Sequence, residues 1–325
     1  MLAALRREWL ARRLARGPGG SVCVLTYHGV VPRISDVRLE RNLHAADVFR
    51  SQVRLLSRFR VVSLSEIEGY LGAGAFPSRG ATVAITFDDG YENNLEAAAI
   101  LAESRLPWTI FLSTKAVDRR GTIWTGELSL LLLHGRAYEV TLLGDRWVLD
   151  SRSRREAAFQ AIRHALKPLP APERQREMAA LRDQMPDGEL ERLLEIYPGL
   201  RSLSWSGVSE LVTAGVEIGS HGVEHELHHA RQPESFRRAE LVDSKREIEM
   251  RIGRACRYFS FPDGVVIDES SAEATRAGYK LAFTTKVGAV RPGFDPLTLP
   301  RVEPSGTARG LIHRLRDADA AAPRM

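Results

Sequence analysis

Short runs of apolar and β-branched residues recur along the chain, each ending abruptly in polar residues: Val22–Tyr27, Thr82–Phe87, Thr109–Leu112, Val216–Gly219, Arg257–Phe261 and Leu281–Thr284. Each run is continuous rather than alternating, as expected of strands covered on both faces. Between them the spacing becomes helical. Ala46–Arg58 sets Phe49, Val53 and Leu56 on one face, and Asn94–Ser104 follows the second strand. Ser206–Ala214 stops at Gly215, and Glu240–Ile252 puts Ile248 and Ile252 on one face. Strands alternating with helices predict an α/β fold on a parallel sheet, either open or closed into a barrel.

From about residue 118 to 204 this rhythm breaks. The segment is rich in Arg, Glu, Leu and Ala, and its stretch Lys167–Glu173 carries three prolines between two helical patterns. It reads as a helical insertion between consecutive core strands, a lid or an accessory subdomain. The core domain is expected over residues 19–310. A tail is expected over residues 311–325, and its part beyond Arg316, with an Asp/Ala run, reads as mobile.

Composition narrows the class. The 325 residues suffice for one large α/β domain or two small ones, and 44% hydrophobic with 27% charged residues is ordinary for a globular protein. No apolar window approaches the roughly eighteen residues a spanning helix needs. A net charge of +5 is compatible with lipid, acidic glycan or nucleic acid and selects none of them, and no nucleic-acid-binding motif accompanies it. The two cysteines, Cys23 and Cys256, sit in strand-like runs and read as buried thiols; their number excludes a Cys-rich zinc site or a disulfide framework. Residues 1–18 are basic. Leu2, Leu5, Trp9 and Leu10 share one helical face, with Arg6, Arg7, Arg12, Arg13 and Arg16 mostly elsewhere. Such a helix could lie on an anionic membrane surface through residues 1–16; a helix packed on its own domain, or a frayed end, is the other reading. Without the marks of a secretory signal, the expected location is cytoplasmic, at the inner membrane face if that helix docks. Oligomeric state is not legible.

Four segments carry candidate chemistry. Thr86–Asn94 runs from a strand into Asp88, Asp89 and Gly90, a pattern that alone describes a turn. Ile218–His229 places His221 and His225 four apart after another strand; on a helical turn both rings would share a face and reach one metal ion. Glu224 precedes the second His instead of following the first, so the zinc-protease pattern fails. His228 and His229 read as surface residues. His28 follows the first strand, and Arg257–Val265 closes a strand in Pro262, Asp263 and Gly264. In a parallel barrel the strand ends carrying His28, Asp88, Asp89 and His221 lie on one face. The Pro262–Gly264 turn is either structural or offers a backbone N–H to an oxyanion. In the insertion, Trp124 and Glu127 either face the cleft or pack.

Together these segments resemble the polysaccharide deacetylases of the NodB-homology type, carbohydrate esterase family 4, over residues 20–302 apart from the insertion. Thr86–Gly90 is similar to the family's first motif, Ser220, His221 and His225 to its second, Phe259–Gly264 to its third in outline, and Leu297–Val302 to a closing strand of exopolysaccharide-acting relatives. The resemblance implies a distorted, TIM-like (β/α) barrel and one divalent metal of the zinc type, with Co²⁺ and Ni²⁺ as alternatives. It makes Asp89, His221 and His225 the ligands and Asp88 the catalytic base. His28 matches the Tyr-His acid of one subgroup, and Phe259, Pro262 and Asp263 become the oxyanion and substrate positions. Two departures stand out. Ser260 occupies the place of an Arg that braces the base in many relatives, so another group must orient Asp88. Asp263 replaces an aromatic and is expected to point outward. The implied activity is removal of N-acetyl groups from an amino sugar or glycan. Rival readings are an O-acetyl esterase, deformylase or cyclic-amide hydrolase on the same site, and a non-catalytic carbohydrate-binding protein.

Overall fold

The computed structural model describes residues 19–320; the basic helix expected over residues 1–18 lies outside them. In chain order the strands are β1 (Val22–Tyr27), β2 (Gly29–Val31), β3 (Leu43–Ala45), β4 (Arg60–Val61), β5 (Thr82–Phe87), β6 (Thr109–Leu112), β7 (Glu139–Leu142), β8 (Asp145–Val148), β9 (Glu217–Ser220), β10 (Tyr258–Ser260), β11 (Leu281–Val287) and β12 (Leu299–Arg301). The main sheet runs β1-β5-β6-β9-β10-β11-β12 with β4 beside β5, and every pairing in it is parallel. Val302 returns to the first strand: its N–H donates to Val24 O at 2.8 Å and its carbonyl accepts from Thr26 N at 3.0 Å. The result is a nearly closed α/β barrel ringed by helices.

Strand parity explains the packing. Side chains alternate across a strand, so Cys23, Leu25, Tyr27, Val83, Ile85 and Phe87 face the helices in the largest apolar cluster. Their neighbours Val22, Val24, Ala84, Phe111, Tyr258 and Phe283 fill the barrel interior. The helix Leu64–Ala73 plugs the lower end with Leu64 and Ile67, and the Glu217 carboxylate accepts the Leu64 N–H at 3.0 Å. Gly219 is required here: a Cβ on it would sit 2.5 Å from the Phe111 ring. Followed upward, the same interior parity reaches Thr26 and, one residue past β1, His28, then Thr86 and, one residue past β5, Asp88, and Ser260 on β10. Polar chemistry therefore begins where the apolar plug ends.

Two sequence expectations need correction. The segment over residues 118–204 holds the helices Trp124–His134, Arg152–Leu166, Ala171–Asp183 and Glu189–Ile196, but also the antiparallel hairpin β7–β8. Val140 and Leu142 alternate inward, a period-two signal hidden by its shortness, and join Leu131, Phe159, Ile162, Leu181 and Leu193 in a second apolar cluster. The stretch beyond Arg316 is not irregular but continues a packed helix to residue 320, with Ala318 buried. Ala308–Ala320 is a helix whose Leu311, Ile312, Leu315 and Ala318 are buried in the main core, a helical spacing masked by the Asp/Ala composition. Both cysteines are buried free thiols, as expected. No helix among the described residues is long and apolar enough to cross a membrane.

Candidate active site

At the carboxyl ends of the strands a cavity of about 410 Å³ is lined by His28, Asp88, Asp89, His221, His225 and Asp263. One ligand atom from each of Asp89, His221 and His225 can be chosen so that all lie within 4.8 Å of one another. The Nε2 atoms of both His221 and His225 stand 3.4 Å from Asp89 Oδ1. The second ring nitrogen of His221 decides what this means. Its Nδ1 lies 2.6 Å from the Ser260 carbonyl, which can only accept. A neutral His221 therefore carries its proton on Nδ1 and turns the Nε2 lone pair toward a carboxylate oxygen. Two lone-pair-bearing rings and a carboxylate aimed at one point form a His₂Asp donor set that fits a divalent cation.

The histidines do not share a helical turn, contrary to the spacing argument. Residues 221–229 are a loop, and His225 turns back through a left-handed φ of 58°. Asp89 (φ 70°) and Asp263 (φ 52°) are also left-handed. Such backbone is uncommon for residues with a Cβ and costs energy that the surroundings must offset. Its concentration in three cavity residues separates a built site from an ordinary turn. Around the loop, Glu240 accepts from Val223 N at 2.9 Å and Glu224 N at 3.2 Å, and burial pushes its carboxyl up to about 8. His228 is a core residue instead of a surface one: it is fully buried beside Phe259 and Phe261, and burial followed by the Arg237 charge pushes its imidazole down to about 3. His229 is half-buried, with Nε2 3.2 Å from Leu169 O of the insertion.

Asp88 is 3% exposed, and the group that orients it is Arg301, which the sequence reading left unidentified. The guanidinium meets the carboxylate as a fork, Nη1 to Oδ1 at 2.9 Å and Nη2 to Oδ2 at 2.6 Å. It also donates to Ser260 Oγ at 2.9 Å and Thr284 O at 3.1 Å. Burial works to raise the Asp88 pKa; the charges of Arg301, His221 and His28 outweigh it and hold the carboxyl below its ordinary value. Burial works to raise the Asp89 pKa as well, and the adjacent His221 and His225 rings, in their protonated form, outweigh it and hold the carboxyl well below its ordinary value. Ser260 is not a gap in the motif: its small side chain makes room for the arginine arriving from β12, and its hydroxyl donates to Asp88 Oδ2 at 3.2 Å.

The third segment divides. Phe259, expected at the substrate, is fully buried in the main core against Tyr279 and Phe261, because it has the opposite strand parity to Ser260. Pro262 is buried at the start of the turn and does not line the cavity. Asp263 does, and its side chain faces inward, not outward: it ion-pairs Lys167 of the insertion, and against the effect of burial the charges of His225 and Lys167 keep it ionised. In this turn the Phe261, Gly264 and Val265 amides donate to Phe283 O, Phe261 O and Pro262 O. The Asp263 N–H has no partner among the described residues.

The insertion is pinned to the site. Arg174 ion-pairs Glu226 and lies over the Trp124 ring, whose Nε1 donates to the His225 carbonyl at 3.1 Å. Glu127 is engaged by Arg182. Trp124 therefore packs and supports the ligand loop, Glu127 pairs within the insertion, and neither lines the cavity.

A family model described as polysaccharide deacetylase matches residues 77–282. Among solved structures, the fold is similar to that of the Streptococcus pyogenes deacetylase PplD in complex with acetate (16% identity, TM-score 0.59, covering 92% of this chain and 99% of that one). It is also similar to IcaB from Ammonifex degensii (18%, 0.57, 93% and 98%) and to a de-N-acetylase from Aggregatibacter actinomycetemcomitans (16%, 0.53, 91% and 99%). At these identities the likeness is one of fold. No curated protein sequence matches the chain.

Proposed function

This chain belongs to the polysaccharide deacetylase family and is a hydrolytic deacetylase, and from that premise we propose that it is a metal-dependent enzyme removing N-acetyl groups from an amino sugar or glycan during surface-polysaccharide synthesis. The observation that carries the reading is the convergence of Asp89, His221 and His225 beside an ionised, buried Asp88.

When bound, a divalent cation held by these three residues supplies Lewis acidity to the acetyl carbonyl and to the attacking water. Asp88, fixed by the Arg301 fork, takes the water proton as oxygen bonds to the carbonyl carbon. The unpartnered Asp263 N–H is the amide available to the tetrahedral oxyanion. His28, on the same cavity wall, delivers a proton to the nitrogen as the C–N bond breaks, since an unprotonated amide nitrogen is a very poor leaving group. The products are acetate and a free amine.

The test is acetate release by purified protein loaded with Zn²⁺, Co²⁺ or Ni²⁺, using matched N-acetylated and O-acetylated sugars. Release from the N-acetyl set is expected, lost on chelation and restored on adding metal back. Exclusive cleavage of the O-acetyl set would make it an esterase, and failure to take up any of the metals would remove the basis of the mechanism.

The Lys167–Asp263 pair yields a second expected result. Without the ammonium, a carboxylate stands uncompensated next to the amide offered to a developing anion. Lys167→Ala should lower kcat by roughly tenfold, in keeping with electrostatic support at oxyanion sites. Adding Asp263→Asn should recover most of that loss. No recovery in the double variant would mean that Lys167 acts by another route.

A further inference from the structure

The cavity holds two cations that the mechanism does not use. Arg41 follows the short helix Val37–Glu40, Arg163 lies on the insertion helix Arg152–Leu166, and both line the cavity that contains Asp88 and the ligand triad. The other basic side chains on its wall are committed: Arg38 to Asp36, Lys167 to Asp263 and Arg301 to Asp88. The Arg41 and Arg163 guanidinium groups make no hydrogen bond or ion pair among the described residues. They are near enough for the Arg41 charge to act on Arg163, whose pKa is lowered first by burial and then by that charge, with Asp263 a smaller opposing influence. The one further carboxylate on the wall, Glu303, ion-pairs neither of them. Two like charges thus face one cavity, one of them only partly exposed, and neither has a direct ion-pair partner among the described residues.

We infer that Arg41 and Arg163 form an anion-accepting subsite, so that the substrate carries a phosphate ester or a carboxylate on the unit joined to its acetamido sugar. The inference rests on the deacetylase reading and adds a substrate class to it. Guanidinium groups suit the task because their planar fork pairs with phosphate and carboxylate oxygens alike. A glycosyl phosphate or diphosphate and a neighbouring uronic acid present the same oxyanion chemistry. In either case the anion would relieve the Arg41–Arg163 repulsion on binding, and a neutral oligosaccharide would not.

Metal-loaded enzyme should be assayed for acetate release from N-acetylglucosamine 1-phosphate, UDP-N-acetylglucosamine, an N-acetylglucosamine–glucuronic acid disaccharide and neutral N,N′-diacetylchitobiose. The expected kcat/KM for one anionic class exceeds that for chitobiose by roughly tenfold or more, the usual worth of hydrogen bonds to a charged group. The winning class identifies the source of the anion. In Arg41→Gln/Arg163→Gln the preference should fall toward unity. Calorimetric titration of the holoenzyme with inorganic diphosphate and with glucuronate reads the subsite without turnover. Binding of either that is lost in the double variant, at unchanged thermal stability, supports the proposal. Equal kcat/KM for neutral and anionic sugars, or titrations that do not distinguish the double variant from wild type, would overturn it and leave the deacetylase reading intact. Binding that depends on the two arginines without acetate from any substrate would sink the deacetylase reading and keep the subsite.

Discussion

Asp88→Asn is expected to lose roughly 10²- to 10⁴-fold in kcat while still taking up metal, the range a positioned general base usually contributes. The substitution is close in shape but changes two things. An amide cannot accept the water proton, and its NH₂ end must face one arm of a guanidinium that now donates to both carboxylate oxygens. The ligand set is Asp89, His221 and His225 and does not include Asp88, so metal content should be unchanged by elemental analysis. Unchanged metal with collapsed turnover separates a base from a ligand; parallel loss of both would show that Asp88 supports the ion. Wild-type kcat in the variant would require another base: Asp89 is committed to the triad and Asp263 to Lys167, which leaves Glu303 as the remaining carboxylate on the cavity wall.

The strands that position Asp88 were legible because doubly covered parallel strands leave uninterrupted apolar runs. Val22–Tyr27, Thr82–Phe87 and Thr109–Leu112 have the bounds read from the sequence. Metal-ligand candidates were legible because their residue types are chemically restricted. What local pattern does not encode is direction across a short strand. Arg301 sits in a stretch whose closing-strand character is readable, but β12 spans only Leu299–Arg301 and shows no phase to reveal that the arginine points inward. The same limit put Phe259 at the substrate when its parity buries it. Asp263 and His228 fail for a different reason. Each orientation is set by a partner distant in sequence, Lys167 in the insertion for one and Phe259 and Phe261 for the other. The loop carrying His225 depends on a left-handed residue that a His-x-x-x-His spacing cannot announce.

Arg301→Met should be the most destabilising single change in the site, and it should alter catalysis in a direction fixed by electrostatics. Both partners are almost fully buried, with side-chain exposures of 1% for Arg301 and 5% for Asp88. Removing one member of a buried pair strands the other charge at a cost of about 3–5 kcal/mol, which denaturant unfolding at neutral pH would read. The sign with pH follows from the depressed Asp88 pKa. In the wild type the pair contributes stability above the unfolded carboxyl pKa, about 3.9, and that contribution is lost as pH falls through the folded value. In the variant, burial is opposed by the charges of His221 and His28 and the Ser260 hydroxyl without the guanidinium, so the Asp88 pKa rises. The acid limb of kcat/KM should therefore move to higher pH, and the stability deficit should narrow on acidification as the stranded carboxylate takes up a proton. The decisive comparison is Asp88→Asn/Arg301→Met. If the cost of Arg301→Met lies in an unpaired carboxylate, removing that charge should make the double variant more stable than Arg301→Met alone. A double variant no more stable than the single one would mean that the guanidinium is needed for its bonds to Ser260 and Thr284, and that Asp88 owes its low pKa to something other than Arg301.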